Sequence, residues 1–202
     1  MNWISRFFAA DSSQQSRWIV LDVETTGMDT GSDSLLSIGA VALVDGRIKP
    51  ADSLELLVRP KIISKRDNIL IHGIGEAAQA SAQEPREACI AFLDFIGQAP
   101  LLAFHAAFDR AFLARAVKTY LNQPFSNPWL DVAHLAAAVH PKIKAKSLDE
   151  WLAFAGITAQ SRHTAAGDAF TTALLLQQLV RASGQSEFEA LEKLAQQARW
   201  LR

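Results

Sequence analysis

Several features that mark other protein classes are rare or missing in this sequence. Its 202 residues include one cysteine, Cys89, so no disulfide within the chain can staple the fold, and a lone cysteine fits a reducing compartment. Cys89 lies in an apolar-periodic segment and is predicted to be a buried free thiol. No apolar run approaches the roughly 20 residues that span a bilayer, and the N-terminus lacks the features of a signal peptide. The expected location is cytoplasmic.

Charge of either sign is not in excess, because the formal net charge is −1. This balance excludes a protein that coats nucleic acid through bulk electrostatics. It does not exclude an enzyme that acts on a chain end, where metal ions and a few lysines can neutralise phosphate. No G-x-G-x-x-G follows a predicted strand, which disfavours a nicotinamide dehydrogenase. No zinc-ligand spacing is formed by the histidines His72, His105, His134 and His140.

The chain has the length and the apolar content of one domain, because half of its residues are apolar. Residues 1–16 are predicted to be an N-terminal arm, and residues 17–202 the domain itself. Apolar side chains recur in the arm at helical spacing; they belong to Trp3, Ile4, Phe7 and Phe8. The arm is interpreted either as a short helix on the domain's own surface or as a docking helix for a partner protein or a membrane surface.

The hydrophobic pattern changes along the chain. Three successive strands are predicted at 18–24, 35–44 and 54–58, with a hairpin signal at Asp45 and Gly46. Strands then alternate with helices, and the two later strands are at 100–104 and 129–130. The predicted fold class is α/β, with a mixed five-stranded sheet of three antiparallel strands followed by parallel strands, flanked by helices.

The helices have clear boundary signals. One short helix is predicted within 61–80, and longer ones at 85–97, 108–121, 132–139, 147–154, 165–182 and 187–200. Ser147 is the predicted N-cap of its helix, and Glu150 completes a capping box. Gly156 ends that helix.

Two acids interrupt the first apolar strand in the run W-I-V-L-D-V-E-T-T-G, namely Asp22 and Glu24. Strand side chains alternate between faces, so both carboxylates are expected on the same face. Like charges held side by side on an apolar strand are costly unless a cation lies between them. A divalent metal is the simplest cation. The alternatives are a strand with a solvated acidic face, or an acidic cap at a sheet edge.

Two further acids, Asp109 and Asp168, open predicted helices. Each alone is explained by the helix dipole, which favours an acid near a helix N-terminus. Together with the strand pair they predict four carboxylates at one end of the sheet, a set that suits Mg²⁺ or Mn²⁺. His163 precedes Asp168 by five residues. Beside a metal cluster it is a candidate general base, because its unperturbed pKa lies near neutrality.

Three motifs in order carry a family resemblance: D-V-E-T-T-G-M at 22–28, A-A-F-D at 106–109 and H-x-x-x-x-D at 163–168. The set resembles the DEDDh group of 3′-to-5′ exonucleases. Within that group, the sequence of the first motif is most similar to that of epsilon-like members, which resemble the proofreading epsilon subunit of bacterial replicative DNA polymerase. The resemblance extends over about 18–180, including I-H-G-I at 71–74 and S-L-D at 147–149.

The resemblance implies an RNase H-like sheet and a two-metal reaction with two Mg²⁺ or Mn²⁺ ions per active site. Asp22, Glu24 and Asp168 would hold one metal, and Asp22 would bridge to the second. Asp109 would act largely through metal-bound water, and His163 would take the proton from the attacking water. Two such cations can activate the nucleophile and neutralise the leaving 3′ oxygen.

The resemblance also implies that the turn after the acidic pair lies beside the terminal nucleotide. Phe104 and His105 stand where epsilon-like members often carry His-Asn, which leaves the choice between DNA and RNA open. The expected substrate-binding residues are Thr25, Thr26, Gly27, Met28, His105 and Phe108.

Other charged residues have two interpretations each. Asp131 matches a further acid of the relatives and is predicted to be structural support or a helix cap. The basic loop residues are either steering groups for the substrate backbone or a solvated surface; they are Lys142, Lys144 and Lys146, with Lys61, Lys65 and Arg66 as a second group.

The predicted function is a metal-dependent 3′-to-5′ exonuclease that releases nucleoside 5′-monophosphates from single-stranded ends, with DNA favoured over RNA. One alternative is a 3′-to-5′ exoribonuclease. The other is a polymerase-associated binding subunit that docks through the N-terminal arm or the last helix.

Overall fold

The computed structural model describes residues 16–159 and 161–199. The predicted arm, apart from Ser16, therefore lies outside the described residues. Five strands form one sheet in the spatial order β3-β2-β1-β4-β5. The strands are β1 (Arg17–Thr25), β2 (Leu35–Val44), β3 (Arg47–Leu57), β4 (Leu101–Ala103) and β5 (Trp129–Asp131).

The sheet is mixed. β2 runs antiparallel to both β1 and β3, whereas β4 runs parallel to both β1 and β5. The predicted α/β class and the mixed five-stranded sheet are confirmed. Because β1 is the middle strand and pairs in both senses, its residues 19–21 are fully buried.

Helices cover both faces of the sheet. They are α1 (Arg66–His72), α2 (Glu76–Ser81), α3 (Pro85–Ile96), α4 (Ala107–Leu121), α5 (Val132–Val139), α6 (Leu148–Ala155), α7 (Ala165–Ser183) and α8 (Phe188–Arg199). Ser147 and Glu150 form the predicted capping box, and Gly156 ends α6 with a left-handed φ of 66°. Among the helices of the described residues, none is long and apolar enough to cross a membrane.

Side chains along β1 alternate between the two faces of the sheet, and the core is therefore divided into two layers. Trp18 and Val20 pack with α5 to α8 on one face. Ile19, Leu21 and Val23 pack with α3 and α4 on the other face. Cys89 lies in the second layer as the predicted buried free thiol, and burial raises its pKa to about 11.

Two predictions of secondary structure were wrong. The third strand starts at Arg47 and not at residue 54, because Asp45 and Gly46 both take positive φ values and return the chain directly into β3. Pro50 is tolerated because residues 50–52 bulge out of this edge strand, opposite the register shift between Val41 and Ala42.

The segment 61–80 holds two short helices and not one, since Gly73 ends α1 with a φ of 70°.

Candidate active site

The paired acids of β1 face the layer that contains α7. Asp22 and Glu24 share the parity of Trp18 and Val20, whose side chains pack with α7. Both acids stand at the C-terminal end of the strand, where the ladder to β2 becomes irregular between Glu24 and Thr25. Each carboxylate is partly buried. The sequence-based expectation that they share one face agrees with this parity.

Helix α7 brings Asp168 to this pair, and a glycine makes that approach possible. Gly39 of β2 is the cross-strand partner of Asp22. A Cβ atom at Gly39 would collide with the backbone of Ala165 and Ala166 at the start of α7. The first turn of α7 therefore lies directly on β2, and Asp168 follows in that turn. One carboxylate oxygen from each of Asp22, Glu24 and Asp168 lies within 4.8 Å of the other two.

The start of α7 is fixed by the loop before it. The hydroxyl of Thr164 caps the helix by accepting a hydrogen bond from the Gly167 amide at 3.2 Å. A Cβ at Gly167 would collide with the carbonyl of Ser161, so the loop folds tightly over the helix. The amide of His163 donates to Oδ2 of Asp168 at 3.2 Å, with a φ of 60° at His163. The His163 side chain is exposed beside this acid.

Asp109 comes from the opposite layer. It lies in the first turn of α4, is only 3% exposed, and accepts a hydrogen bond from the Val23 amide at 3.1 Å. Val23 lies between the two acids of β1, so Asp109 reaches the same strand end from the other face. It does not belong to the set of mutually close carboxylates formed by Asp22, Glu24 and Asp168, named here the acid trio.

Burial raises the pKa values of three of the acids, Asp22, Glu24 and Asp109. Burial raises the pKa of Asp22 well above its usual range, and the neighbouring carboxylates of Asp109 and Glu24 raise it further. Burial raises the pKa of Glu24 to about 7 and raises that of Asp109 well above its usual range. Such shifts are typical of buried carboxylates whose negative charge is not fully compensated by nearby cations. A close set of oxygen donors with this electrostatic demand fits Mg²⁺ or Mn²⁺.

Arg162 is a site residue that the sequence did not single out. Its guanidinium forms ion pairs with Asp168 of the acid trio and with Asp149 of α6, the latter at 2.6 Å from Nε to Oδ1. The hydrogen bond from Arg162 also lowers the pKa of the Asp149 carboxyl. The signal in the sequence that could have identified Arg162 was its positive charge directly before His163, the first residue of the H-x-x-x-x-D motif. The sequence does not reveal which acids such a side chain reaches.

The predicted nucleotide-binding turn is held by hydrogen bonds to Ser34 and Asn68 and by one within the turn itself. The Thr26 amide donates to the Ser34 carbonyl, and the Ser34 amide donates back to the Thr26 hydroxyl. Asn68 of α1 donates its side-chain amide to the Thr26 carbonyl. Thr25 and Gly27 are joined by a hydrogen bond from the Thr25 hydroxyl to the Gly27 carbonyl at 2.6 Å. Met28 follows with 80% of its surface exposed. Asn68 was not predicted, because its contact joins segments 42 residues apart.

The remaining candidates occupy different surroundings. His105 is exposed and contacts the Lys146 carbonyl through Nε2 at 3.1 Å. Phe108 is half-buried and packs on Phe112, with ring centroids 4.9 Å apart. Asp131 is the predicted helix cap, since its carboxylate accepts from the amides of Ala133 and His134.

The two basic groups lie on the surface. Exposed side chains belong to Lys142, Lys144, Lys146, Lys61, Lys65 and Arg66. None of the three loop lysines forms a salt bridge among the described residues.

Comparison with known proteins identifies the family. Residues 19–176 match the RNase_T family model, described as exonuclease. The chain is 36% identical over 180 residues to a DNA polymerase III subunit epsilon-like protein of Rhodobacter capsulatus, and the match covers 86% of this chain and 25% of that protein. It is 30% identical over 166 residues to a PolC-type DNA polymerase III of Clostridium perfringens, with 82% of this chain and 11% of that protein covered. The chain thus spans a quarter or less of the length of these relatives.

Solved structures agree on the fold. Exonuclease X, solved in complex with 5′ overhanging duplex DNA, superposes with a TM-score of 0.71 at 25% identity, covering 89% of this chain and 98% of that one. E. coli exonuclease I, in complex with a dA16 oligonucleotide, gives a TM-score of 0.74 at 15% identity, covering 84% of this chain and 42% of that one. The RNase H-like fold and the resemblance to the DEDDh exonucleases are confirmed. The chain belongs to the exonuclease family.

Proposed function

We propose that this member of the exonuclease family is a metal-dependent 3′-to-5′ exonuclease that acts on single-stranded ends and releases nucleoside 5′-monophosphates. The observation that carries the proposal is the acid trio, whose three carboxylate oxygens lie within 4.8 Å of one another at the end of β1. Asp109, buried at the same strand end, supplies the fourth acid of the family motif.

Each acid has a proposed role. Asp22, Glu24 and Asp168 would hold one Mg²⁺ or Mn²⁺, and Asp22 together with Asp109 would serve a second ion. Bound divalent cations lower the pKa of water and stabilise negative charge on a phosphate undergoing displacement.

His163 is the proposed general base. Its ring is exposed next to Asp168, and its backbone is fixed by the hydrogen bond from its amide to that acid. In the proposed step the ring accepts a proton from the attacking water while the water oxygen bonds to phosphorus. The bond from phosphorus to the 3′ oxygen of the preceding nucleotide breaks, and the shortened chain leaves with that oxygen.

The turn formed by residues 25–28 is the proposed seat of the terminal nucleotide. Its hydrogen bonds to Ser34 and Asn68 hold the backbone beside Glu24, and the exposed Met28 side chain offers an apolar surface for a base. His105 and Phe108 are proposed to contribute further substrate contacts near the start of α4. These groups grip a chain end without reading its sequence.

DNA is the proposed substrate. The support comes from relatives, since one solved neighbour holds duplex DNA and another a deoxyadenosine oligonucleotide. RNA is the competing substrate, because recognition of a 2′-hydroxyl depends on a few contacts in the pocket. A 3′-to-5′ exoribonuclease is therefore the second candidate within the same chemistry.

A polymerase is the proposed protein partner. The support is the polymerase III names of two relatives, both longer than this chain. α8 buries Phe188, Leu191 and Ala195 within its own domain, so its apolar face is already occupied. The docking element we favour is the arm of residues 1–16, with 17–202 as a separate exonuclease domain in the cytoplasm. A pull-down of polymerase with and without residues 1–16 tests this assignment.

The test of the activity compares matched DNA and RNA oligonucleotides with labelled 5′ ends, in Mg²⁺ or in EDTA. The expected result is a Mg²⁺-dependent ladder that shortens from the 3′ end, faster on DNA. His163→Ala should slow the ladder by about 10²-fold or more, the contribution of a general base, and retain metal binding. Absence of Mg²⁺-dependent shortening of both substrates would refute the proposal.

A further inference from the structure

Arg162 lies at the junction of the acid trio and helix α6. Its Nη1 pairs with Oδ1 of Asp168, and its Nε pairs with Oδ1 of Asp149 at 2.6 Å. Because different nitrogens make the two contacts, the guanidinium holds both acids at once. Asp149 is an anchor in this arrangement and does not compete with Asp168 for the cation.

The same guanidinium acts on the whole trio. Its charge lowers the pKa values of Asp22 and Glu24, against the stronger effect of burial. The other oxygen of Asp168, Oδ2, already accepts the His163 amide at 3.2 Å. Each carboxylate oxygen of Asp168 therefore accepts a hydrogen bond. A metal ion that enters the trio encounters the Arg162 guanidinium already paired with Asp168.

We propose that Arg162, anchored by Asp149, is the resident counter-ion of the metal-free site and competes with the divalent cation for Asp168. The inference rests on the proposed function, since it assumes that the acid trio binds metal. When the cation binds, the guanidinium leaves Asp168 and keeps its contact with Asp149. Arg162 is thus a positioning residue that sets the metal concentration at which the site fills.

The effect of this competition on the apparent Kd for metal depends on how often Arg162 occupies Asp168. If the metal-free protein spends nine-tenths of its time with Arg162 on Asp168, the apparent Kd for metal is raised about tenfold. Removing the competitor should recover about that factor. Arg162→Gln removes it directly. Asp149→Asn removes the anchor, and it is expected to leave the fold intact because the Asp149 side chain is 63% exposed.

Asp149→Asn separates this mechanism from simple charge repulsion. Loss of a carboxylate near a cation site weakens cation binding by electrostatics alone. Competition predicts the opposite, because an unanchored Arg162 holds Asp168 less often. The matched control is Asp52→Asn, which removes an acid paired with Arg17 at 2.9 Å at the other end of β1.

The experiment is a calorimetric titration of metal-stripped protein with MnCl₂. The expected result is about tenfold tighter Mn²⁺ binding for Arg162→Gln and a smaller gain in affinity for Asp149→Asn, with Asp52→Asn equal to wild type. Unchanged or weaker binding by either of the first two variants would overturn the inference while the metal site stands. If wild type itself binds no Mn²⁺, the metal site of the proposed function falls, and the inference with it.

Circular dichroism of each variant checks folding before the titration. If Arg162→Gln fails to fold, the result for Asp149→Asn decides. A second readout is thermal unfolding in EDTA, where loss of the resident cation should lower the Tm of Arg162→Gln below that of wild type. An equal Tm for Arg162→Gln and wild type would contradict the counter-ion role.

Discussion

The two faces of β1 hold their acids in different ways. On the α7 face, Asp22, Glu24 and Asp168 converge from a strand and a helix, and Arg162 forms an ion pair with Asp168. On the α4 face, Asp109 is buried and accepts a hydrogen bond from the Val23 amide. Asp109 accepts from one backbone amide, whereas Asp168 accepts from the His163 amide and also forms an ion pair with the Arg162 guanidinium. If a divalent cation binds the trio as proposed, we expect it to displace Arg162 on the α7 face and to leave the contact between Asp109 and the Val23 amide in place.

Removing one acid from each face gives the largest expected effect. Asp22→Asn should abolish turnover by about 10³-fold or more, since several kcal/mol of charge stabilisation are lost with the metal, and should also abolish Mn²⁺ binding. Asp109→Asn should impair turnover but retain one Mn²⁺ bound to the trio. Oligonucleotide degradation and Mn²⁺ titration measure both properties. Equal loss of Mn²⁺ binding in the two variants would remove the distinction between the faces.

Gly39→Ala tests whether the close approach of α7 builds the trio. The added Cβ would collide with the backbone of Ala165 and Ala166, so α7 must move and carry Asp168 with it. Turnover should fall by about 10²-fold, the cost of a displacement near 1 Å at a reacting centre. Gly75→Ala is the control, because nothing lies within 4 Å of a Cβ there. Near wild-type rates for both variants would show that α7 is not held by this contact.

The free energy of unfolding of the metal-free protein should fall as the pH rises, because the pKa values of buried acids are raised in the folded state. The pKa of Glu24 is raised to about 7 in the folded protein, and those of Asp22 and Asp109 are raised as well. The folded state therefore binds more protons than the unfolded chain, so the metal-free protein loses stability as the pH rises from about 4.5 through 7.

The expected loss is on the order of 1 kcal/mol, reduced by solvent around Glu24. Urea unfolding in EDTA at several pH values measures it, and Mn²⁺ should abolish the slope. Stability that rises with pH in EDTA would mean that these acids are already compensated.

The smallest expected effect belongs to the basic loop, away from both faces of β1. Replacing Lys142, Lys144 and Lys146 with alanine should raise KM a few-fold and flatten its salt dependence, by about 0.7 in log–log slope for each phosphate that is no longer neutralised. kcat should stay near wild type because these exposed residues lie outside the acid set. An unchanged salt slope would assign the lysines to the solvated surface.

The sequence predicted the parts of the site that depend on local periodicity. Alternation on β1 predicted one face for Asp22 and Glu24, and the N-terminal turns of α4 and α7 predicted where Asp109 and Asp168 lie. These features depend on a few neighbouring residues. The same is true of the capping box of α6 and the hairpin at Asp45.

The parts that escaped prediction depend on contacts between distant segments. In the sequence, Gly39 cannot be distinguished from other small residues in a strand. Its importance follows only from the position of α7, whose backbone a Cβ at Gly39 would meet. Arg162 is one cation among 20 lysines and arginines, and its pairing with Asp149 requires α6 to lie beside the loop. Asn68 reaches Thr26 only because α1 folds back over the turn. The start of β3 was missed because its exposed residues carry little apolar alternation.

The most direct test of the cation site is a crystal structure with Mn²⁺, using anomalous scattering to locate the metal. The expected result is an anomalous peak bounded by the carboxylates of Asp22, Glu24 and Asp168, with the Arg162 guanidinium withdrawn from Asp168 and still paired with Asp149. No peak among these three acids at saturating Mn²⁺, with Arg162 still on Asp168, would contradict the proposed metal site.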